Sequence, residues 1–151
     1  MNVLRKVIIP VIAISLVITA SCVDGACYED TESFLHVAFF RGDDEETPQK
    51  LSVIGYGMEE YIYKDKTSVS YAALPLNPGE SSTSFYVSIN DTTDMVTFYY
   101  SSEPYMYSKE CGYTWFYDIL SASSTSNIID SVTVTKAKAT ISDEENIRIY
   151  Y

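Results

Sequence analysis

The sequence predicts an all-β protein in which two antiparallel sheets pack face to face, and two observations carry that prediction. Short runs rich in Tyr, Thr, Val, Ile and Phe recur along the chain, and "STSFYVSIN" at 82–90 alternates apolar and polar residues with the period of a half-buried strand. Turn signals separate the runs, such as Pro75–Gly79 and "NDTTD" at 90–94. No window shows a 3.6-residue period. We therefore expect an immunoglobulin-like β-sandwich of about 7–9 strands after an N-terminal signal segment.

Each apolar run is interpreted as one strand. The first, Phe34–Arg41, places Leu35, Val37 and Phe39 on one face. "MVTFYYSS" after the turn at 90–94 is expected to return as the second arm of a hairpin. The stretch 105–117 is the hardest to place, and its Cys111-Gly112 indicates a bend or bulge. The remaining runs are "KLSVIGYG", "EEYIYKD", "KTSVSYAALPL", "YMYSKECGY", "YTWFYDIL", "IDSVTVTKA" and "NIRIYY".

The N-terminal 21 residues have the pattern of an export signal. Arg5 and Lys6 precede the apolar run Val7–Ile18, which is too short for a membrane span of roughly 20 residues and contains Pro10. We therefore assign residues 1–21 to a signal peptide, 22–32 to a tether and 33–151 to a single β-sandwich domain. A short buried helix is the alternative for the apolar run.

Cys22 follows small residues in the manner of a lipidated cysteine. Ala20 and Ser21 fit the box that a lipoprotein signal peptidase recognises, although Thr19 departs from the usual Leu. Cleavage before Cys22 would leave this residue as the acylated first residue. Several acyl chains, at about 0.8 kcal/mol per buried CH₂, give lasting attachment to a membrane. Ordinary secretory cleavage that leaves Cys22 free is the alternative.

Cys27 and Cys111 remain once Cys22 is assigned to lipid. An exported protein meets an oxidising compartment, where two such thiols tend to pair, so a Cys27–Cys111 disulfide is predicted. Metal binding is disfavoured, because the chain has no C-x-x-C pair and His36 is its only histidine. The acidic run Gly42–Pro48 lacks the ligand spacing of a calcium loop. No metal and no cofactor is expected.

The charge balance disfavours two classes of negatively charged partner. Without Arg5 and Lys6 the mature chain has 8 basic and 21 acidic residues, a formal net charge of −13. Nucleic acid and anionic membrane surfaces are therefore unfavourable partners.

Catalysis finds little support in the sequence. A Ser or Cys hydrolase needs a base beside its nucleophile, and His36 lies in the middle of a predicted strand, where a solvated or cross-strand histidine is the expectation. "GYG" at 55–57 lacks the length, lysine and helix of a phosphate loop. We expect a protein that is not an enzyme.

A group of aromatic residues suggests a second hypothesis, that the protein binds a glycan. Tyr105, Tyr107, Tyr113, Trp115 and Tyr117 cluster in the sequence, and exposed rings can stack on sugar faces. The alternative is that these rings pack at the rim of the sandwich with wet hydroxyl groups.

Two short motifs resemble acceptors for O-glycosylation in the bacterial periplasm. "DTT" at 91–93 would be modified at Thr92, and "DSV" at 130–132 at Ser131.

Several longer motifs resemble an uncharacterised family of short Bacteroidetes lipoproteins, the DUF6452 family. They are the leader, "CYED" at 27–30, "ALPLNP" at 73–78, "ECGYTWFYDIL" at 110–120 and the terminal "ENIRIYY". The resemblance implies no activity. It does imply that Cys27 and Cys111 both belong to the framework of the family.

These observations lead to one expected role. The protein would be a lipid-anchored accessory or interaction module of the cell envelope, with an envelope protein as partner, and a glycan-binding surface lipoprotein is the alternative. In many lipoproteins an Asp directly after the lipidated cysteine causes retention in the inner membrane, and this chain has Val23 there. Surface lipoproteins often carry a dense acidic run after the cysteine, whereas Asp24 is the only acidic residue among the four that follow Cys22. The expected location is therefore the periplasmic face of the outer membrane, with surface exposure as the alternative.

Overall fold

The computed structural model describes residues 27–151, so Cys22 and the predicted signal segment lie outside the described residues. Within this range the chain forms eleven strands and no helix. No segment of the described range is therefore a helix able to cross a membrane. The strands are β1 (Phe34–Arg41), β2 (Asp44–Glu45), β3 (Leu51–Gly55), β4 (Tyr61–Lys66), β5 (Tyr71–Pro75), β6 (Ser82–Ile89), β7 (Thr92–Ser108), β8 (Gly112–Ser124), β9 (Ser131–Val134), β10 (Lys138–Ala139) and β11 (Ile147–Tyr150).

The strands of the described range form two sheets, which confirms the predicted all-β sandwich. The larger sheet has the order β10-β8-β7-β6-β3-β4, and the smaller has the order β2-β1-β11-β9 with β5 also paired to β1. Two of the eleven strands have only two residues. One pair departs from the antiparallel expectation: β11 runs parallel to β1, with Val37 opposite Ile147. The C-terminal strand can pair this way because it returns from the far end of the chain to lie between β1 and β9.

The core lies between the sheets and follows the alternation of the sequence. On β6, Phe85, Val87 and Ile89 are buried, whereas Ser84 and Tyr86 point to the outer side. Burial of each such apolar side chain contributes about 1.5–3 kcal/mol. Their largest buried neighbours come from both sheets: Leu35, Phe39, Leu51, Leu74, Phe98, Tyr100, Ile129, Ile147 and Ile149.

Strand β1 is buried on both faces, so His36 is not the solvated residue that alternation allows. Six consecutive residues of β1 are buried. Asn146 explains part of this: the His36 backbone N–H donates to Asn146 Oδ1 (3.1 Å), and the Asn146 N–H donates to the His36 carbonyl (3.0 Å). Asn146 Nδ2 also donates to the carbonyls of Lys136 and Lys138. The sequence predicts either a solvated or a cross-strand histidine, and His36 is in the cross-strand position.

Strands β7 and β8 extend beyond the sandwich as a two-stranded arm, which we define as residues 103–116. The last β6 pair on β7 is Ser82 with Tyr99, and β10 reaches β8 only at Tyr117 and Asp118. From Glu103 opposite Phe116 to Ser108 opposite Gly112, the described strands pair only with each other. Gly112 has a φ of +75°, a conformation that favours glycine, and it closes the bend expected at Cys111-Gly112.

A disulfide fastens the N-terminal segment to the tip of the arm. Cys27 and Cys111 are bonded, with their Cα atoms 4.8 Å apart and 84 positions apart in sequence. Thr114 Oγ1 donates a hydrogen bond to the Thr31 carbonyl, and the Tyr107 hydroxyl donates to the Glu29 carboxylate. Residues 27–31 therefore follow the arm instead of leaving it.

Candidate functional site

The five clustered aromatic residues do not form one surface. Side chains alternate between faces along a strand, so Tyr113, Trp115 and Tyr117 share one face of β8. Tyr105 is opposite Thr114 in the pairing of β7 with β8, which places Tyr105 and Tyr107 on the other face. The sequence cluster is thus divided into two smaller groups.

Tyr117 belongs to the core and is not available for stacking on a glycan. Its side chain is only 4% exposed, and its ring meets that of Tyr100 edge to face, with centroids 5.4 Å apart. Its hydroxyl donates to the Leu76 carbonyl at 3.0 Å. Burial, with a further contribution from Tyr100, raises the pKa of the Tyr117 hydroxyl. Alternate side chains of β8 point into the sandwich, and Tyr117 is one of them at the point where the arm joins the sandwich.

Tyr105 and Tyr107 are both engaged within the molecule. The Tyr105 ring stacks on Phe116 with centroids 4.3 Å apart and planes 14° apart, which covers one of its two faces. Tyr107 is half-buried, and its hydrogen bond to Glu29 raises the pKa of its hydroxyl. Tyr105 keeps one open ring face, whereas Tyr107 mainly holds the N-terminal segment.

Tyr113 and Trp115 remain exposed and line a shallow groove. The groove has a volume of about 290 Å³, and its other walls include Phe34, Leu76 and Pro78. Tyr113 and Trp115 lie two residues apart on the same face of β8, so their Cα atoms are roughly 6.6 Å apart along the strand. This groove is the part of the predicted cluster that could accept a sugar.

A larger cleft of about 550 Å³ opens at one end of the sandwich, near the turn after β3. The turn runs through "GYGM", where Gly57 has a φ of +77° and the Met58 N–H donates to the Gly55 carbonyl. A β-carbon on Gly55 would lie 2.9 Å from Met58 Cγ, so glycine lets Met58 pack over the turn. Tyr56 and Met58 thereby form one wall of the cleft.

Hydrogen bonds of the buried Tyr100 fix another part of the cleft lining, which contains Asn77 and Thr83. The Tyr100 hydroxyl accepts a hydrogen bond from the Asn77 N–H (3.1 Å), donates to the Asn77 carbonyl (2.9 Å) and lies 2.6 Å from Thr83 Oγ1. Asn77 Oδ1 in turn accepts from the Gly79 N–H. These bonds fix the turn between β5 and β6 beside the cleft, whose rim carries Glu60 and Glu80.

An apolar row crosses the outer side of the larger sheet, and we call it the outer-face patch: Ile54, Tyr56, Tyr61, Tyr86 and Met95. Ile54 is opposite Tyr61 on β4 and Tyr86 on β6, and Tyr86 is opposite Met95 on β7. Four adjacent strands make a row roughly 15 Å wide. Tyr56 extends it, because its ring lies 5.9 Å from that of Tyr86. Since Tyr56 also lines the end cleft, patch and cleft form one continuous surface.

Sequence reasoning missed the outer-face patch because its members come from four separate strands and the turn after β3. Only the register of the sheet brings these side chains together. One sequence signal could have indicated the patch: the alternation of β6 places Tyr86, a large aromatic residue, on the outer side of the sheet.

The described residues around His36 include one carboxylate, that of Asp143. His36 Nε2 lies 3.6 Å from Asp143 Oδ1, and Asp143 is almost fully exposed. The small cavity beside it is lined by Tyr63, Tyr71 and Ala73 in addition to these two residues, so within the described range no Ser or Cys nucleophile lines it. The arrangement supplies an imidazole and a carboxylate but not the reacting group.

The other predicted sites are all at the surface or outside the described residues. The acidic run Gly42–Pro48 follows β1 and contains the short strand β2; its acidic residues Asp43, Asp44 and Glu45 are exposed, whereas Pro48 is buried. Residues 27–151 contain no group of three or more His, Cys, Asp or Glu side chains placed to bind a metal. Thr92 and Ser131 are exposed and are the first residues of β7 and β9. Cys22, the predicted lipidation site, precedes the described range.

Comparison with known proteins identifies the family but not an activity. Residues 50–151 match the model of DUF6452, a family of unknown function, and the chain belongs to this family. No curated protein and no solved structure matches the chain.

Proposed function

We propose that this member of the DUF6452 family is a lipid-anchored, non-catalytic interaction module of the bacterial cell envelope, which binds an envelope protein through the outer-face patch. The observation that carries the proposal is the apolar row across β4, β3, β6 and β7. Tyr56, Tyr61 and Tyr86 are exposed in this row, and Ile54 and Met95 are half-buried. Contiguous exposed apolar surface marks interaction sites on soluble domains. Tyr and Met are also enriched at protein interfaces, where the ring buries area and the hydroxyl can stay hydrated.

The same surface suits a protein partner better than a small ligand. The patch is a flat row on a sheet, and the adjoining cleft offers apolar walls with the carboxylates of Glu60 and Glu80 at its rim. A flat apolar centre with a polar rim is the common anatomy of a protein interface. The formal charge of −13 after loss of the leader favours a partner with a basic rim.

Attachment through Cys22 completes the proposal. Acyl chains on this residue would hold the domain at the periplasmic face of the outer membrane. Val23 supports this location, because an Asp at that position would retain the protein in the inner membrane. Protease treatment of intact cells tests the location. Digestion of the body while a periplasmic control protein survives would place it on the cell surface instead.

Site-specific photo-crosslinking tests the patch. A photoreactive residue at position 86 of the anchored protein should give one discrete adduct in cells, and Tyr56→Ser should abolish it. Position 71 is the matched control, because Tyr71 and Tyr86 are 40% and 39% exposed but lie on different sheets. Equal adducts at positions 71 and 86, or an adduct that survives Tyr56→Ser, would contradict the proposal.

Glycan binding is the second candidate, and the groove beside Trp115 favours it. Two exposed rings on one strand face can stack on successive sugar faces. Trp115 is the only tryptophan of the chain, so its fluorescence reports the groove directly. Titration with envelope oligosaccharides should change the emission, and Tyr113→Ser should weaken the apparent affinity. An emission that no oligosaccharide changes would remove this candidate.

A further inference from the structure

We infer that the tip of the β7–β8 arm rests on the zwitterionic lipid surface of the membrane that holds Cys22, and so sets the orientation of the domain. The inference rests on the proposed lipidation of Cys22. It goes beyond that proposal by assigning a membrane contact to folded residues, which we call the arm tip: Tyr28, Met106, Tyr113 and the Cys27–Cys111 disulfide.

The length of chain between anchor and arm carries the first step. Cys22 and Cys27 are five residues apart, and five residues span at most about 18 Å when fully extended. The disulfide places Cys27 at the arm tip, with its Cα atom 4.8 Å from that of Cys111. A lipidated Cys22 therefore keeps the arm tip within about 18 Å of the membrane surface.

The disulfide also decides which end of the molecule faces the membrane. Without it, the tether would continue to β1, which begins at Phe34 in the middle of the smaller sheet. With it, the first fixed point is the arm tip. The opposite end of β7 begins at Thr92, and 17 extended residues place it roughly 50 Å from the tip.

The side chains at the arm tip suit a lipid interface. Tyr28 is 92% exposed, Tyr113 is 70% exposed, and Met106 is half-exposed and opposite Tyr113 on the same face of the ribbon. Tyrosine rings prefer the level of the lipid headgroups, where the ring is shielded and the hydroxyl stays hydrated. In water these three side chains gain no such shielding.

The charges of the arm tip select the headgroup class. Glu29, Asp30 and Glu110 outnumber Lys109, and all four are exposed. An anionic surface would repel this end of the molecule, whereas a zwitterionic surface such as phosphatidylethanolamine or phosphatidylcholine would not. The arm would then stand on the membrane while the outer-face patch, on β4, β3, β6 and the distal half of β7, stays in the aqueous phase for a partner.

Depth-dependent fluorescence quenching tests the inference. The lipidated mature protein, residues 22–151, is reconstituted into phosphatidylcholine vesicles whose acyl chains are brominated near the headgroup. Two single-tryptophan variants share the Trp115→Phe background, one with Tyr113→Trp at the arm tip and one with Tyr99→Trp as control. Tyr99 is also an exposed tyrosine, at 45% against 70% for Tyr113, but it lies on the outer face of the sandwich, seven residues before Met106 on β7. The wild-type protein, with its native Trp115, provides a third reporter in case either variant does not fold.

We expect several-fold stronger quenching for Tyr113→Trp than for Tyr99→Trp, with an intermediate value for native Trp115. Flotation of the vesicles reports the anchor separately. Protein that floats but shows equal quenching at both positions would overturn the membrane contact and leave the anchor intact. Protein that does not float would overturn the anchor and this inference with it. Replacement of half of the lipid by phosphatidylglycerol should weaken the quenching at position 113, and a stronger signal there would overturn the headgroup assignment.

Discussion

Asp94 is expected to be a principal stabiliser of the fold, and Asp94→Asn is the change that tests this. Its side chain is 1% exposed, at the start of β7. One carboxylate oxygen accepts from Thr125 Oγ1 (2.7 Å) and the Asn127 N–H (2.8 Å), and the other from the N–H groups of Ile128 (2.8 Å) and Ile129 (2.9 Å). Asp94 therefore closes the loop between β8 and β9 and positions Ile129 in the core.

The magnitude follows from what Asn can and cannot replace. Its carbonyl oxygen can keep two of the four hydrogen bonds, but its NH₂ group then faces two backbone N–H donors. A lost hydrogen bond to a charged group costs about 1.5–3 kcal/mol, and a buried donor without a partner carries a similar penalty. We expect Asp94→Asn to lower the free energy of unfolding by about 2–4 kcal/mol. With a urea slope of about 1.5 kcal/mol/M, the midpoint should fall by about 1.3–2.7 M.

Asp91→Asn is the matched control for this measurement. Asp91 lies three residues away and is exposed, and its main contact is an ion pair with Lys50 Nζ at 2.7 Å. Surface pairs contribute about 0–1 kcal/mol, and Asn tolerates the positive φ of 72° at this position. Equal losses in Asp94→Asn and Asp91→Asn, measured by urea unfolding with the disulfide intact, would refute the argument.

The pH dependence gives a second, independent signature of Asp94. Burial raises the pKa of this carboxyl, but the hydrogen bonds from Ile128, Asn127, Thr125 and Ile129 outweigh that effect, so the pKa lies below its ordinary value. A carboxyl of this kind stabilises the fold above its unfolded pKa of about 3.9, and the stabilisation is lost as the pH falls through the lower folded pKa. The difference between wild type and Asp94→Asn should therefore be constant near pH 7 and shrink below about pH 4. A difference that does not change down to pH 3 would contradict this assignment.

Three further predictions concern the cysteines and the histidine. Cys22→Ser should abolish both membrane fractionation and incorporation of labelled fatty acid, and retention of either would refute lipidation. Replacement of Cys27 and Cys111 together by Ser should lower the free energy of unfolding by up to about 4–5 kcal/mol, since the bridge closes a loop of about 85 residues; an unchanged urea midpoint would show that the bridge does not restrict the unfolded chain. His36→Ala should leave the crosslinked adduct at position 86 unchanged and cost about 1 kcal/mol of stability, and loss of function at full stability would require a role for the imidazole.

Local alternation was sufficient to predict the sandwich and much of its core. Phe85, Val87 and Ile89 could be assigned to one face from sequence because a strand directs every second side chain to the same side. The hairpin after "NDTTD" was equally local, since Asn90 and Asp91 both adopt the positive φ that a tight turn requires. The pairing of Cys27 with Cys111 followed from counting once Cys22 was assigned to lipid.

Long-range pairing was not predictable in the same way. The parallel pair of β1 with β11 and the burial of His36 depend on a C-terminal strand and on Asn146, which lies 110 residues from its hydrogen-bond partner. Buried polar residues such as Asp94 and Asn146 carry no periodic signal, because their role is set by loops that pack against them. Nothing within 105–117 distinguished the buried Tyr117 from the exposed Trp115.

The sequence by itself was sufficient for the class of fold and for the pair of cysteines that form the disulfide, and it predicts the export signal and the lipid anchor, because all of these depend on local pattern, composition and count. Only the tertiary structure decided which surfaces exist. The register across β4, β3, β6 and β7 assembles the outer-face patch from residues far apart in the chain. Because the pairing with β6 and β10 ends before the arm, residues 103–116 pair only with each other, and the disulfide fastens the N-terminal segment to the tip of that arm. Such surfaces arise from the relative placement of strands, which no single segment of the chain encodes.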